Sequence, residues 1–368
     1  MIFGKRIKNI FSNLKRKPDA IIIKNSSEPY IDDNFFYVTG LDKGLFEGSV
    51  ATLYPTGKID LIISELEAES AKKSNANLNI YKNVEEFNEF FENTLSHLKN
   101  IGLNFSGISH GDFCIIKDRC PNSEFVDVSE AFAKARLVKD EFEIKIIKEA
   151  CIITDKVMKM IPDILHEKVH EFEIAAEINY LLQKNGADEN AFETISSFGK
   201  NTAEPHYSHG DYQLKSGDFA LFDFGARFRR YNSDMTRTFI FGKASKEQKD
   251  MYETVLEAQK TGFNAIHLGI EAHEVHDAVN SYIDNTRFKG RFIHSTGHPI
   301  GLAVHDAGAG FNSECKFKLK ENMVLTVEPG IYIPGFGGVR IEDDVLIKKD
   351  GVELLTKTPK EFIEIYGQ

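Results

Sequence analysis

Phe219-Ala-Leu-Phe-Asp223-Phe-Gly225, followed after a polar turn by Tyr231-Asn-Ser-Asp234-Met-Thr236-Arg-Thr238-Phe-Ile-Phe241, decides the fold of this sequence. Both runs are apolar and strand-like, and each carries an acid. Burying a carboxylate costs free energy unless it is paired, protonated or bound to a metal. Alternation places Asp234, Thr236 and Thr238 on one face of the second run. Two neighbouring strands can then aim Asp223 and Asp234 at one point.

The same device recurs downstream. Met323-Val-Leu-Thr326-Val-Glu328-Pro-Gly330 ends a strand in an acid. Gly338-Val-Arg340-Ile-Glu342-Asp-Asp-Val-Leu-Ile347 follows, with Arg340 and Glu342 on one face. His298 lies between the halves in His294-Ser-Thr-Gly-His298-Pro-Ile-Gly301, ahead of His305 and Asp306. A lone acid in a strand is usually a turn residue or an ion-pair partner. Five donors in one consistent order point to divalent cations, because agreement between separate motifs reduces the chance of a spurious match. The two acid-bearing strand pairs have the pattern of an internal pseudo-repeat.

One nitrogen and four carboxylates form an oxygen-rich set that suits Mn, Co or Fe(II), and zinc also accepts such ligands. Two divalent ions balance four carboxylates, and such ions acidify water towards a pKa of about 7.

The strings LFDFGA, YNSDMTRTF, STGHPIGLAVHD, LTVEPGIY and GGVRIEDDV resemble the signature of the pita-bread metallopeptidases: methionine aminopeptidase, aminopeptidase P, prolidase and the non-metal enzyme creatinase. The resemblance is strong from about Phe142 onward. The N-terminal part resembles the N-domain of prolidase, aminopeptidase P and creatinase, which points to the Xaa-Pro branch. It implies an α/β (α+β) chain: a C-terminal pita-bread domain behind a smaller creatinase-like α/β domain. It also implies Asp234 and Glu342 as bridging ligands. Asp223 would complete one metal, and His298 with Glu328 the other. Glu328 would be the general base. His206, in Glu204-Pro-His206-Tyr207, resembles a substrate-side histidine, His305 one that steadies the tetrahedral intermediate, and His294 a further pocket histidine. Arg340 would orient Glu342 or meet the substrate, with Thr236 supporting the ligands. Pro299 departs from the usual family residue and would reshape the pocket beside His298.

The expected reaction is hydrolysis of the bond before proline in a di- or oligopeptide, by an Xaa-Pro dipeptidase. Alternatives are an Xaa-Pro aminopeptidase, a creatinase-like hydrolase without metal, or a non-catalytic binding protein on the same scaffold. The last two are expected to lose ligands, and all five are present here. The resemblance implies a homodimer.

Length fits two domains, with a boundary near Lys139: residues 1–138 and 139–368. A net charge of −11 argues against a nucleic-acid or anionic-membrane partner. Four cysteines without a CxxC pair fit a reducing cytoplasm. No apolar run is long enough to span a membrane. The basic start, with Phe3, Ile7, Ile10, Phe11 and Leu14 at helical spacing, reads as an ordinary first helix rather than a targeting segment.

In the N-terminal part, strands are expected at 20–23, 35–38, 50–54, 59–63, 78–81 and 103–108, with helices after Glu65 and from Val84. Further helices are expected over 129–136, from Glu141, over 170–184, and from Ser245 to about Ile266. Another follows Glu271 and carries His273 and His276, which read as solvated.

Overall fold

The computed structural model describes residues 2–366 other than 307 and 309. The chain divides into two compact units, Met1–Arg136 and Leu137–Gln368.

The first unit is a six-stranded mixed sheet with helices. Its strand order is Asn77–Tyr81, Ile59–Ser64, Val50–Leu53, Ala20–Lys24, Asn100–Leu103, Glu124–Asp127. The hairpin around Pro55-Thr-Gly-Lys58 forms as expected, with Leu53 opposite Ile59. The first helix, Ile2–Ser12, buries Ile7, Ile10 and Phe11.

Phe35–Val38 is a helix rather than a strand. The helix Asp33–Thr39 starts where the Asp32 side chain accepts from the Asn34 N–H, and stops at Gly40, whose φ of 72° suits glycine. A run of four apolar residues is ambiguous between the two periods, and the caps decide it. The expected strand 103–108 is displaced to Asn100–Leu103. Asn104 ends it by accepting at its carbonyl from the Gly107 and Ile108 N–H groups.

The second unit carries the acid-bearing strands. Phe219–Phe224 and Met235–Phe241 pair antiparallel, with Thr236 opposite Asp223. Val324–Val327 pairs with Asp343–Lys348, so Glu328 and Glu342 leave that ladder at the same end. The hairpin Gly330–Ile333 with Gly337–Arg340 joins them. Helices Glu141–Met158, Glu171–Lys184, Lys246–Ala265 and Ala272–Asp284 surround the strands. Asp140 with Glu143, and Ser245 with Gln248, form reciprocal capping boxes.

Two close approaches require glycine. A Cβ on Gly225 would lie 1.7 Å from the Ser233 carbonyl oxygen, and one on Gly297 would lie 1.9 Å from that of Thr326. The second lets the 296–298 segment run beside Val324–Val327. The Thr326 N–H then donates to the His298 carbonyl and the Glu328 N–H to that of Thr296. That pairing brings His298 next to Glu328.

A buried network lies behind Glu342. Arg237, 1% exposed, pairs with Asp343 at 2.7 Å and donates to the carbonyls of Thr236, Glu342 and Thr358. Lys360, Gln259 and Thr356 also donate to Asp343. Breaking a buried ion pair from one side costs roughly 3–5 kcal/mol. Arg237→Met should therefore lower unfolding free energy by about that amount, as read by denaturant titration. A change under ~1 kcal/mol would show that Lys360, Gln259 and Thr356 satisfy Asp343 without the guanidinium.

Candidate metal centre

One cavity of about 380 Å³ is lined by Asp223, Asp234, His298, Glu328 and Glu342, and also by His206, His294, His305 and Arg340. Apolar lining comes from Phe192, Ile195 and Val304. Donor atoms of Asp234, His298 and Glu342 lie within 4.8 Å of one another. His298 Nε2 is 3.6 Å from Asp234 Oδ2 and 3.7 Å from Glu328 Oε1. Its Nδ1 lies 3.2 Å from the Pro299 carbonyl oxygen. A carbonyl only accepts, so Nδ1 carries the proton and Nε2 presents its lone pair to the acids.

The carboxylates are held from behind. The Thr236 hydroxyl donates to Glu342 Oε2 at 2.6 Å, and that of Thr326 approaches Glu328 Oε1 at 3.4 Å. Arg340 pairs with Asp223 Oδ2 at 2.6 Å and donates to the Thr236 hydroxyl that holds Glu342, while its charge also acts on Glu342. It is thus the clamp of Asp223 rather than of Glu342. Among the described residues, Asp223 Oδ1 and Asp234 Oδ1 are buried without a hydrogen-bond partner. Such orphaned oxygens fit a cation.

The electrostatics agree. Burial, then Glu342 and Asp223, push Asp234 well above the carboxylate range. Burial and the neighbouring Glu328 and Asp223 do the same to Glu342. Burial raises Glu328 to about 7 against the opposing charge of Arg340. Burial and His305 lower His298 to about 4, and burial and Arg340 lower His294 to about 3. The site thus disfavours both uncompensated anions and protonated imidazoles, the setting in which a metal binds best.

His206 and His305 are exposed at the mouth, and the His305 ring lies 4.2 Å from that of His298. His294 is engaged on both nitrogens, with the Ser295 carbonyl oxygen at 2.7 Å and the Tyr332 hydroxyl at 2.8 Å. Tyr332 also accepts from Arg340. Reading the sequence missed Tyr332; its polar tip in the apolar strand Gly330–Ile333 was the available signal. Pro299 is buried and lies outside the cavity lining. Its carbonyl faces His298 and accepts from the Asp306 N–H, so it fixes the loop rather than shaping the pocket. His276 is not solvated: it is half-buried against the Thr296 hydroxyl at 3.0 Å, and burial lowers its pKa.

The sequence pattern of metallopeptidase family M24 matches residues 145–349, and that of the creatinase/prolidase N-terminal domain matches residues 6–138. The chain belongs to metallopeptidase family M24. It is 37% identical to an Xaa-Pro dipeptidase of Pyrococcus horikoshii, covering 98% of this chain and 99% of that one. The prolidase structure from Pyrococcus horikoshii is similar at TM-score 0.88 and 35% identity, over 99% of this chain and 100% of that one. The X-Pro aminopeptidase structure from Thermotoga maritima is similar at TM-score 0.89 and 30% identity, over 95% and 98%. Membership in family M24 implies divalent metal ions, and the buried orphaned oxygens here fit them. Among the described residues, no helix is long and apolar enough to cross a membrane.

The raised carboxylates imply a pH response for the protein stripped of metal. The folded value of Glu328, about 7, exceeds its ordinary 4.5, so the folded state binds more protons than the unfolded chain. Stability from that group is present below about 4.5 and is lost as pH rises through 7. His294 and His298, depressed from 6.5, act oppositely, and their contribution is complete above 6.5. Between pH 6.5 and just above 7 the raised carboxylates Asp234, Glu328, Glu342 and Asp344 outnumber these two histidines and set the sign. The melting temperature in chelator should fall across that window, and a divalent ion should reverse the fall. A level or rising melting temperature in chelator would contradict these shifts.

Proposed function

We propose that this chain is an Xaa-Pro dipeptidase with two divalent metal ions, Mn or Co, held by Asp223, Asp234, His298, Glu328 and Glu342. Zinc and iron are compatible with the same donors. The observation that supports it most is the near-full-length likeness to Xaa-Pro dipeptidases, joined to a cavity that gathers every donor. In this reading residues 1–138 form the creatinase-like domain and 139–368 the catalytic domain. The enzyme works in the cytoplasm as a homodimer, on peptides rather than nucleic acid or membrane.

The ions, when bound, supply Lewis acidity and an acidified water. Glu328, which lines the cavity, would take up a proton during attack and return it to the leaving nitrogen. Asp234 and Glu342 would be among the residues that hold the ions, with Glu342 oriented by the Thr236 hydroxyl. His206 and His305, exposed at the mouth, contact the peptide, and His305 stabilises the charge developing at the carbonyl oxygen. His294, joined to Arg340 through Tyr332, lines the pocket as a neutral ring. Phe192, Ile195 and Val304 offer an apolar wall to the pyrrolidine ring. The imino nitrogen of proline brings no N–H into this pocket. An Xaa-Ala bond would bring one, and an unmet buried donor costs ~1–3 kcal/mol, roughly one to two decades of rate.

A second reading, Xaa-Pro aminopeptidase, is favoured by the likeness to the Thermotoga maritima structure. A panel of Leu-Pro, Met-Pro, Leu-Ala and Xaa-Pro-Yaa peptides separates them. The dipeptides Leu-Pro and Met-Pro should be cleaved fastest. Faster cleavage of tripeptides would favour the aminopeptidase, and equal rates on Leu-Ala and Leu-Pro would end the proline assignment.

The ligand and transition-state roles separate by metal content. Asp234→Asn or Glu342→Gln should remove metal and activity together. His305→Ala should keep the metal and lose turnover. Elemental analysis beside kinetics checks both, and metal loss in the His305 variant would mean that its role is misassigned.

A further inference from the structure

We propose that Glu171 is the positioning residue of His206, its buried carboxylate fixing the loop that carries that histidine over the cavity. This rests on the reading that His206 meets the substrate. Glu171 opens the helix Glu171–Lys184 and is 0% exposed. Its Oε1 accepts from the Phe198 N–H at 2.7 Å and the Asn201 amide at 3.0 Å. Its Oε2 accepts from the Tyr207 hydroxyl and the Gly210 N–H, both at 2.9 Å. Among the described residues no cation forms an ion pair with it, so these four donors are what makes its burial tolerable.

All four donors flank His206 in sequence, two on each side. The loop is tied on its other side as well. Arg340 donates to the Pro205 carbonyl at 3.1 Å, and the Gly338 N–H donates to the Thr202 hydroxyl at 2.7 Å. His206 therefore stands between Pro205, held by Arg340, and Tyr207, held by Glu171. Its own ring is exposed, but the backbone on both sides is fixed. Burial and Glu171 raise the Tyr207 hydroxyl to about 12, so it stays a donor at neutral pH. Gly210 completes the clamp, since a Cβ there would lie 2.2 Å from the Tyr207 hydroxyl. Holding a group in place before the substrate arrives is where positioning gains rate, and a shift of about 1 Å costs on the order of 100-fold.

Glu171→Gln turns an acceptor pair into an NH₂ group facing donors. In the metal-loaded enzyme, kcat/KM on Leu-Pro should fall roughly 10- to 100-fold with metal content unchanged. Glu171→Asp, which keeps the charge, should recover part of that loss. In a His206→Ala background, Glu171→Gln should add little, because the lost contact is the same one. Hydrogen exchange should quicken at the amides of residues 198–210 while the Met235–Phe241 strand stays protected. Tyr207→Phe removes one donor and should act in the same direction more weakly, so it decides the matter if the Gln variant does not fold. Full multiplication of the two losses in the double variant, or unchanged exchange in the loop, overturns the proposal. A silent His206→Ala overturns the reading of His206 instead, and the exchange measurement then still decides whether Glu171 anchors the loop.

Discussion

Repulsion among buried carboxylates is the constraint around which the second unit is built. Donor atoms of Asp234 and Glu342 lie within 4.8 Å, and both residues are almost fully buried. Two unit charges at that distance repel by roughly 3–4 kcal/mol at an effective dielectric of about 20. That exceeds what any surface ion pair returns. The fold opposes it with the network behind the site. Arg237 binds Asp343 and the carbonyls of Thr236 and Glu342, so one guanidinium joins the two acid-bearing ladders. The acids are thus fixed relative to one another by hydrogen bonds and ion pairs of the chain itself.

The division of labour follows from rigidity. Asp223 sits within a strand, and Asp234, Glu328 and Glu342 stand next to strand ends, where their N–H groups donate to the Asp344 carboxylate and to the carbonyls of Thr296 and Thr236. His206 and His305 sit on exposed segments instead. Metal ligands, the role proposed for the acids, need fixed geometry, whereas groups proposed to meet a peptide must leave it room to enter. The loop of His206 is not loose for that reason, because its anchors lie to either side of the histidine.

Much of this was legible locally. Asp223 and Asp234 stand out because period-two alternation and burial are both written into a short run. The helix from Ser245 was legible because its cap and its box residue are three positions apart. The fold class and the family followed from motifs of that kind, and the sheet of the first unit with the strand pairs of the second bears them out. Phe35–Val38 failed because four apolar residues fit either period, and Asp32 and Gly40 outweighed them. Tyr332 and Glu171 were missed for another reason. Their partners are distant in sequence, as with Glu171 and Gly210, 39 positions apart, and no spacing rule reaches so far.

Arg340 shows how distance in sequence becomes chemistry. Alternation alone would aim it at Glu342, but its side chain reaches on to Asp223 and leaves Thr236 to hold Glu342. The outcome is selective. Asp223 Oδ2 is occupied by the guanidinium while Oδ1 stays orphaned, and Thr236 takes Oε2 of Glu342. Each hydrogen bond thus fixes which oxygen is held by the protein and which side of the carboxylate is left for a metal. The same guanidinium continues to Tyr332 and to the Pro205 carbonyl, beside His206. One buried cation therefore sets the orientation of Asp223 on one side and the backbone beside His206 on the other, so neither can shift without disturbing its partner.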